Sequence, residues 1–402
     1  MKKINIFLYG IILLYLLTDC GIKEQKVKET ESVLIEETSI KNVEKITTKT
    51  KEKATPQPTE PPIETYELSL IAVGDNLIHS PIYKKANNGD GTYNFLPMYE
   101  HIKETIQSYD VAVINQETIF VEDDNKISSY PQFGTPVEMG DALIDTGFDV
   151  ILNATNHTWD KKEQGVIDTL NFWKKYPEIT ILGIHENQED ANEITILEKN
   201  NFKLALFNYT YGLNGFILPE GKEYLIDLLD DKEKFLNDIK NIENEVDYTI
   251  CFVHIGTEYV YEPTEYQKNY IEDLINAGAD IIICAHPHVI EPYGMITTEN
   301  GNSALVYYSC GNFISSQNEV PRVLGGMAEF VLTKTMQEDK TLSSEIKEYN
   351  FIPIVCHYNK TEHSVYLLED YTEELAQTHS LRAKGLSIEK LWNLWNKILE
   401  QK

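Results

Sequence analysis

Five times along this chain a short apolar run stops and residues with metal-ligand side chains follow at once. Leu70-Ile71-Ala72-Val73 leads into Gly74-Asp75-Asn76, Val111-Ala112-Val113-Ile114 into Asn115-Gln116-Glu117-Thr118, and Val150-Ile151-Leu152 into Asn153-Ala154-Thr155-Asn156-His157. Ile250-Cys251-Phe252-Val253 leads into His254-Ile255-Gly256-Thr257-Glu258, and Ile281-Ile282-Ile283-Cys284 into Ala285-His286-Pro287-His288. Runs of this length, rich in β-branched residues, read as buried strands. In α/β sheets, ligands bind outside the carboxyl ends of the strands. The pattern therefore predicts one crevice into which five strands deliver Asp, Glu, Asn and His, the hard-to-borderline ligands that suit Zn, Mn, Fe or Mg.

The spacing predicts strands over 68–73, 111–115, 149–152, 180–182, 204–207, 248–253, 281–284 and 305–308. Amphipathic segments between them predict helices over 98–108, 139–146, 165–175, 232–244 and 265–277. This alternation gives α/β layering. A last amphipathic segment, 388–399, predicts a helix that docks on the body from within a helical extension over 376–402.

Taken singly, each cluster has a plain structural reading. Gly74-Asp75 is an ordinary turn with an Asx cap, Asn115 and Glu117 a helix-start cap and a surface acid, His254 a core histidine, and His286-Pro287-His288 a rigid turn. Their joint placement at strand exits is what points to a functional site.

Charge narrows the function classes. With 35 Lys and Arg against 64 Asp and Glu, the formal net charge is -29. Nucleic-acid binders present clustered positive charge, so that class is excluded as an expectation. Arg322 and Arg382 are the only arginines, so bidentate anion clamps are scarce. Cys251, Cys284 and Cys310 lie in apolar runs and read as buried small residues. With Cys20 and Cys356 they form no CxxC pair, which argues against a zinc ribbon or a compact disulfide framework.

At the start, Lys2 and Lys3 precede an apolar stretch from Ile4 to Leu17, with the length and polarity order of a signal peptide. Leu17-Thr18-Asp19-Cys20-Gly21 is similar to a bacterial lipobox, with Asp19 departing from the usual small residue. The expectation is a leader over 1–20 and a protein exported to the outer face of the cell membrane, tethered through lipid on Cys20. An uncleaved N-terminal anchor and plain secretion are the alternatives. Residues 21–64 are rich in Lys, Glu and Thr and end in Pro56-Gln57-Pro58-Thr59-Glu60-Pro61-Pro62, which predicts a disordered tether. The globular body runs from 65 to 375.

The ordered motifs also carry a family resemblance. Gly74-Asp75, Asn115-x-Glu117, Asn156-His157-x-x-Asp160 with Gly165, His254-x-Gly256-x-Glu258-Tyr259, Pro263 with Gln267, Gly278-Ala279-Asp280, His286-Pro287-His288-Val289 and Tyr308-Ser309-Cys310-Gly311-Asn312-Phe313 resemble the successive motifs of the CapA proteins. These take part in making or anchoring poly-γ-glutamate capsules. The family is in turn similar to calcineurin-like metallophosphatases, which implies a layered β-sandwich flanked by helices and a site for one or two divalent ions. On that basis Asp75, Glu117, Asn156, His254, His286 and His288 are the expected metal ligands. His157 is the expected general acid, Asp160 the group that orients it, and Glu258 or His79 a base. Arg322 and Asn312 are expected to meet substrate.

Three departures from the pattern stand out. Leu77 occupies the position where metallophosphatases usually carry a second ligand, which puts a two-metal centre in doubt unless His79 fills the role. Ile255 stands where many relatives have tryptophan, and Cys310 where an aliphatic residue is common. The resemblance further implies an acidic or cell-wall polymer as substrate and membrane-embedded capsule-synthesis components as partners.

Overall fold

In the computed structural model, the protein is described over residues 64–336 and 342–400. The expected leader, lipobox and tether, except for the tether's last residue Glu64, lie outside these residues.

Sixteen strands are seen among the described residues. In chain order they are β1 (Thr65–Asn76), β2 (Val111–Asn115), β3 (Phe120–Val121), β4 (Thr135–Pro136), β5 (Val150–Leu152), β6 (Thr180–Leu182), β7 (Thr195–Lys199) and β8 (Phe202–Thr210). Then follow β9 (Tyr248–His254), β10 (Ile281–Ala285), β11 (Tyr293–Thr297), β12 (Ser303–Tyr307), β13 (Asn312–Ile314), β14 (Leu324–Met336), β15 (Leu342–Tyr358) and β16 (His363–Leu367). They form an eight-stranded sheet in the order β16-β15-β14-β1-β2-β5-β6, with β13 beside β1, and a six-stranded sheet in the order β11-β12-β10-β9-β8-β7. β3 and β4 pair separately.

The two sheets share one core because strand side chains alternate between faces. Leu204, Leu206, Ile250, Phe252, Ile281, Ile283, Leu305 and Tyr307 of the second sheet lie in the same buried cluster as Leu68, Leu70, Val111, Val113 and Val150 of the first. The intervening residues Ala205, Phe207, Cys251, Val253, Ile282 and Cys284 turn the other way. They pack on Phe235 and Ile239 of the helix Lys232–Ile242 and on Tyr270, Ile271 and Leu274 of the helix Glu265–Ala277. A strand buried on both faces has no polar alternation, which is why these runs read as continuously apolar. The result is an α/β architecture of two layered sheets flanked by helices.

The helix Glu265–Ala277 begins where Thr264 caps it, its side chain accepting from the Gln267 N–H, and ends at Gly278 in the left-handed conformation. Both of its ends, and both ends of the helix Ile388–Leu399, fall where the sequence predicts them. The latter buries Leu391, Trp395 and Ile398, with Trp395 5.0 Å from Phe351 of β15 between ring centroids.

The long antiparallel pair β14–β15 and the strand β16 are absent from the sequence-based strand assignment. Most of the first nine residues of β15 are exposed, and they carry Ser, Glu, Lys and Asn, so they give no apolar signal. Their strand conformation comes from pairing with β14, in register from Leu324↔Val355 to Met336↔Leu342 with one bulge. Cys251, Cys284, Cys310 and Cys356 are buried free thiols.

Candidate metal centre

Parallel pairing aligns the strand ends that the sequence singles out. β1, β2 and β5 are adjacent and parallel in one sheet, as are β8, β9 and β10 in the other, so their carboxyl ends face a common crevice. Gly74 makes the first approach work. The Asp75 N–H donates to the Gly311 carbonyl at 2.9 Å, and a Cβ on residue 74 would lie only 1.9 Å from that oxygen.

All six expected ligands are buried there. The His288 ring lies between two carboxylates: Nδ1 is 2.9 Å from Asp75 Oδ2 and Nε2 3.7 Å from Glu117 Oε1. His254 Nε2 is 3.0 Å from Asn156 Oδ1 and 3.8 Å from Glu117 Oε1. The Asn115 side-chain amide donates to Asp75 Oδ1 at 2.8 Å and lies 3.3 Å from His254 Nδ1. One hydrogen-bonded chain thus runs from His288 through Asp75 and Asn115 to His254 and Asn156. The backbone is strained at the same place. His286, His288 and Tyr259 are non-glycine residues at φ 105°, 57° and 66°, and such conformations persist only where surrounding structure enforces them.

Glu117, His286 and His288 offer ligand atoms that all lie within 4.8 Å of one another. Both Glu117 oxygens and His286 Nδ1 are buried without a hydrogen-bond partner. Orphaned buried polar atoms, two of them on one carboxyl group, are costly unless a partner such as a cation joins them. The donor set, two imidazoles and a carboxylate, therefore fits a divalent ion of the Zn, Mn or Fe type.

Electrostatics divide the three histidines. Burial pushes the Glu117 carboxyl well above its ordinary range, with Asp75 and Glu258 adding to the effect and His288 opposing it. Burial works against a charge on His288, but Glu117 and Asp75 outweigh it and push that ring up to about 9. Burial pulls His286 down to about 3, and His254 also falls well below its usual value. His254 and His286 are thus neutral at neutral pH, as metal ligands must be, whereas Glu117 and Asp75 hold a proton on His288 that an ion would have to displace.

Beside this cluster His157 and Asp160 form a pair, with His157 Nδ1 2.7 Å from Asp160 Oδ2. The same carboxylate oxygen accepts the Phe133 N–H at 2.7 Å, and the Phe133 ring meets His157 edge-on at 4.7 Å.

Residues 69–317 match the family described as bacterial capsule synthesis protein PGA_cap. The chain belongs to that family. It is 27% identical over 265 residues to the PGA biosynthesis protein CapA of Bacillus subtilis (strain 168), covering 64% of this chain and 66% of that protein. It is 24% identical over 262 residues to the capsule biosynthesis protein CapA of Bacillus anthracis, covering 63% and 61%. The matches thus span just under two thirds of each relative's own length. Among solved structures, Haemophilus influenzae NAD nucleotidase is similar at TM-score 0.41 and 13% identity, over 83% of this chain and 60% of that one.

In this PGA_cap chain the remaining expected site residues are placed around the cluster. Glu258 is exposed and lies close enough to act electrostatically on Glu117 and His288. His79 is not one of the three residues whose ligand atoms gather, and its ring meets Phe133 edge-on at 5.3 Å. Its Nδ1 is 3.1 Å from the Leu77 carbonyl and 3.3 Å from the Ser316 N–H, and burial pulls the ring down to about 4. Leu77 is buried, so no side-chain ligand comes from that position. Arg322 is partly buried on the short 3-10 turn Val320–Val323, its guanidinium 3.5 Å over the Tyr259 ring. Asn312 leaves its side-chain oxygen buried without a partner. It is fully buried, and its amide donates to the His288 and Arg322 carbonyls at 3.2 and 2.9 Å. It braces the site's backbone because β13 pairs in parallel with the end of β1, Asp75 opposite Asn312.

Sequence reasoning misses two residues that follow β8. The Tyr211 ring lies 4.6 Å from that of His286. Asn214, at φ 52°, accepts from the Asn156 amide at 3.2 Å and approaches His157 Nδ1 at 3.3 Å. The polar run Asn208-Tyr209-Thr210-Tyr211 after an apolar strand is the signal that could have marked a sixth strand end.

Proposed function

We propose that this PGA_cap protein is an exported, membrane-tethered hydrolase of capsule metabolism. It cleaves an anionic polymer of the poly-γ-glutamate type, or a phosphoester linked to it, at the crevice formed by the strand ends. The observation that carries the reading is the orphaned Glu117 carboxylate facing His286 and His288, with the His157–Asp160 pair alongside.

Glu117, His286 and His288 would hold the divalent ion, with Asp75, His254 and Asn156 completing or orienting the set. Such an ion supplies a water of lowered pKa and neutralises charge on the scissile oxygen. The chain's own groups do the rest. Asp160 accepts the proton on His157 Nδ1, which leaves Nε2 as the atom that gives a proton to the leaving group. The Phe133 ring packs edge-on against the His157 imidazole. Glu258, exposed at the crevice, is positioned to take a proton toward solvent.

The test is hydrolysis by His157→Asn against metal content. The expected outcome is full metal loading with turnover of γ-glutamyl or phosphoester substrates reduced by about 10²–10⁴-fold. Undiminished turnover with intact metal would remove His157 as the acid.

A second reading, a polymer-binding or anchoring accessory acting beside membrane-embedded synthesis components, draws support from Leu77. A buried leucine where a second ligand is expected leaves a centre suited to one ion. A single cation can hold an anionic polymer on a protein of net charge -29 without cleaving it. Metal-dependent polymer binding that survives His157→Asn, with no hydrolysis by the wild type, would favour this reading.

A further inference from the structure

Arg322 has an unusual situation in so acidic a chain. Among the described residues no carboxylate lies within ion-pair distance of it. Glu319, one short turn upstream, is held by Lys384 at 2.7 Å. The guanidinium lies instead flat against Tyr259, 3.5 Å from the ring centroid. Stacking occupies the face of a guanidinium and leaves its edge donors available for an anion.

The platform is tied to the metal centre at several points. Tyr259 lies 6.0 Å from His288 between ring centroids, and its N–H donates to the Pro287 carbonyl at 2.8 Å. Its left-handed backbone, φ 66°, is a conformation that a bulky residue adopts only under constraint. The Asn312 amide joins the Arg322 carbonyl to the His288 carbonyl. The arm and the ligand loop are therefore held by one buried side chain, and Arg322 sits one aromatic ring away from a proposed ligand.

We propose that Arg322, held on Tyr259, is a carboxylate-recognition arm that binds the free α-carboxylate of a γ-linked glutamyl residue next to the bond presented at the metal centre. The proposal rests on the reading that this crevice takes an anionic capsule polymer, and it makes Arg322 the specificity-determining residue. A polymer with a carboxylate on every residue meets strong repulsion from a chain of net charge -29. An unpaired arginine beside a cation gives it two positive points at a fixed separation, and the planar fork matches a two-oxygen anion bidentately.

The experiment is calorimetric binding of a short γ-linked glutamate oligomer to the metal-loaded protein. The comparison set is Arg322→Ala, Arg322→Lys and Tyr259→Ala, with metal content measured in each. Arg322→Ala is expected to weaken binding by about 10–100-fold with metal retained. Arg322→Lys should fall between it and the wild type, because a lysine keeps the charge and loses the fork. An oligomer with its carboxylates amidated should bind wild type and Arg322→Ala equally weakly. Equal affinity of wild type and Arg322→Ala for the glutamate oligomer, or no binding by the wild type, overturns the proposal. So does competition by inorganic phosphate that depends on Arg322 while oligomer binding does not, since that assigns the arm to phosphate. Because the readout is binding, an Arg322-dependent affinity without turnover would retain this inference and sink only the hydrolytic reading. Unchanged affinity with turnover intact would do the reverse.

Discussion

His288 Nδ1 lies 2.9 Å from Asp75 Oδ2, and the other Asp75 oxygen accepts from the Asn115 amide at 2.8 Å. Both oxygens of this strand-end aspartate are thus engaged, one of them in orienting an imidazole, whereas both Glu117 oxygens are unengaged. Two buried carboxylates in one crevice therefore have different tasks.

A graded loss of metal follows. Glu117→Ala and His286→Ala remove atoms that face the ion directly and should leave no measurable metal after dialysis. Asp75→Asn keeps the shape but weakens the hold on His288, and should lower affinity by about 10–100-fold, the usual cost of losing an orienting carboxylate. Elemental analysis and competitive chelator titration check this. Equal loss in all three would make Asp75 a ligand of the same rank as Glu117.

The stability of the metal-free protein should rise in Glu117→Gln. Desolvation of the Glu117 carboxyl outweighs the opposing attraction of His288, so burying a neutral amide of the same size should cost less, by about 1–3 kcal/mol. Thermal unfolding in chelator at pH 8 should show the variant melting higher than the wild type. Adding Zn or Mn should then raise the wild type's Tm and leave the variant's unchanged.

A second buried acid predicts a pH effect remote from the ligands. Glu291 is fully buried, with one oxygen accepting from Gln267 at 2.9 Å and the other unpartnered. Burial pushes its carboxyl up to about 8, against the opposing Gln267 bond. The unfolded chain loses this proton near 4.5 and the folded protein near 8. Between those values the folded state holds more protons, so its stability falls as pH rises. Glu291→Gln should therefore be more stable than wild type at pH 8, by about 4 kcal/mol, with the gap closing toward pH 4.5. Denaturant midpoints across that range provide the measurement, and a gap that stays constant with pH would refute the assignment.

The strand-end clusters are legible in the sequence because parallel strands buried on both faces write themselves as apolar runs, and polar side chains at their ends have nothing else to do. Asp75, Glu117, Asn156, His254, His286 and His288 come together for that reason. What the sequence hides depends on long-range pairing. The bracing by Asn312 requires β13 to lie beside β1, and the exposed half of β15 is a strand only because β14 is its partner. Tyr211 and Asn214 escape notice because tyrosine and asparagine after a strand read as turn and core residues until the second sheet is folded over the first.

The Asp160 carboxylate offers the sharpest separation of chemistry from structure. Its Oδ2 receives both His157 Nδ1 and the Phe133 N–H at 2.7 Å, while Oδ1 is buried without a partner. In Asp160→Asn a side-chain oxygen at the Oδ2 position can keep both bonds while the new amide takes the unpartnered Oδ1 position, so what is lost is the negative charge beside His157. A neutral amide oxygen supports the positive charge of an imidazole that gives a proton from Nε2 while Nδ1–H stays bonded less well than a carboxylate does. In Asp160→Ala both bonds are lost and the Phe133 segment loosens. The asparagine variant should therefore keep wild-type metal content and Tm within a few degrees, keep KM, and lose kcat by about 10²-fold or more, whereas the alanine variant should lose thermal stability as well. Should kcat survive in Asp160→Asn, His157 acts without the Asp160 charge, and Asp160 is only a hydrogen-bonding anchor for the His157 ring and the Phe133 backbone.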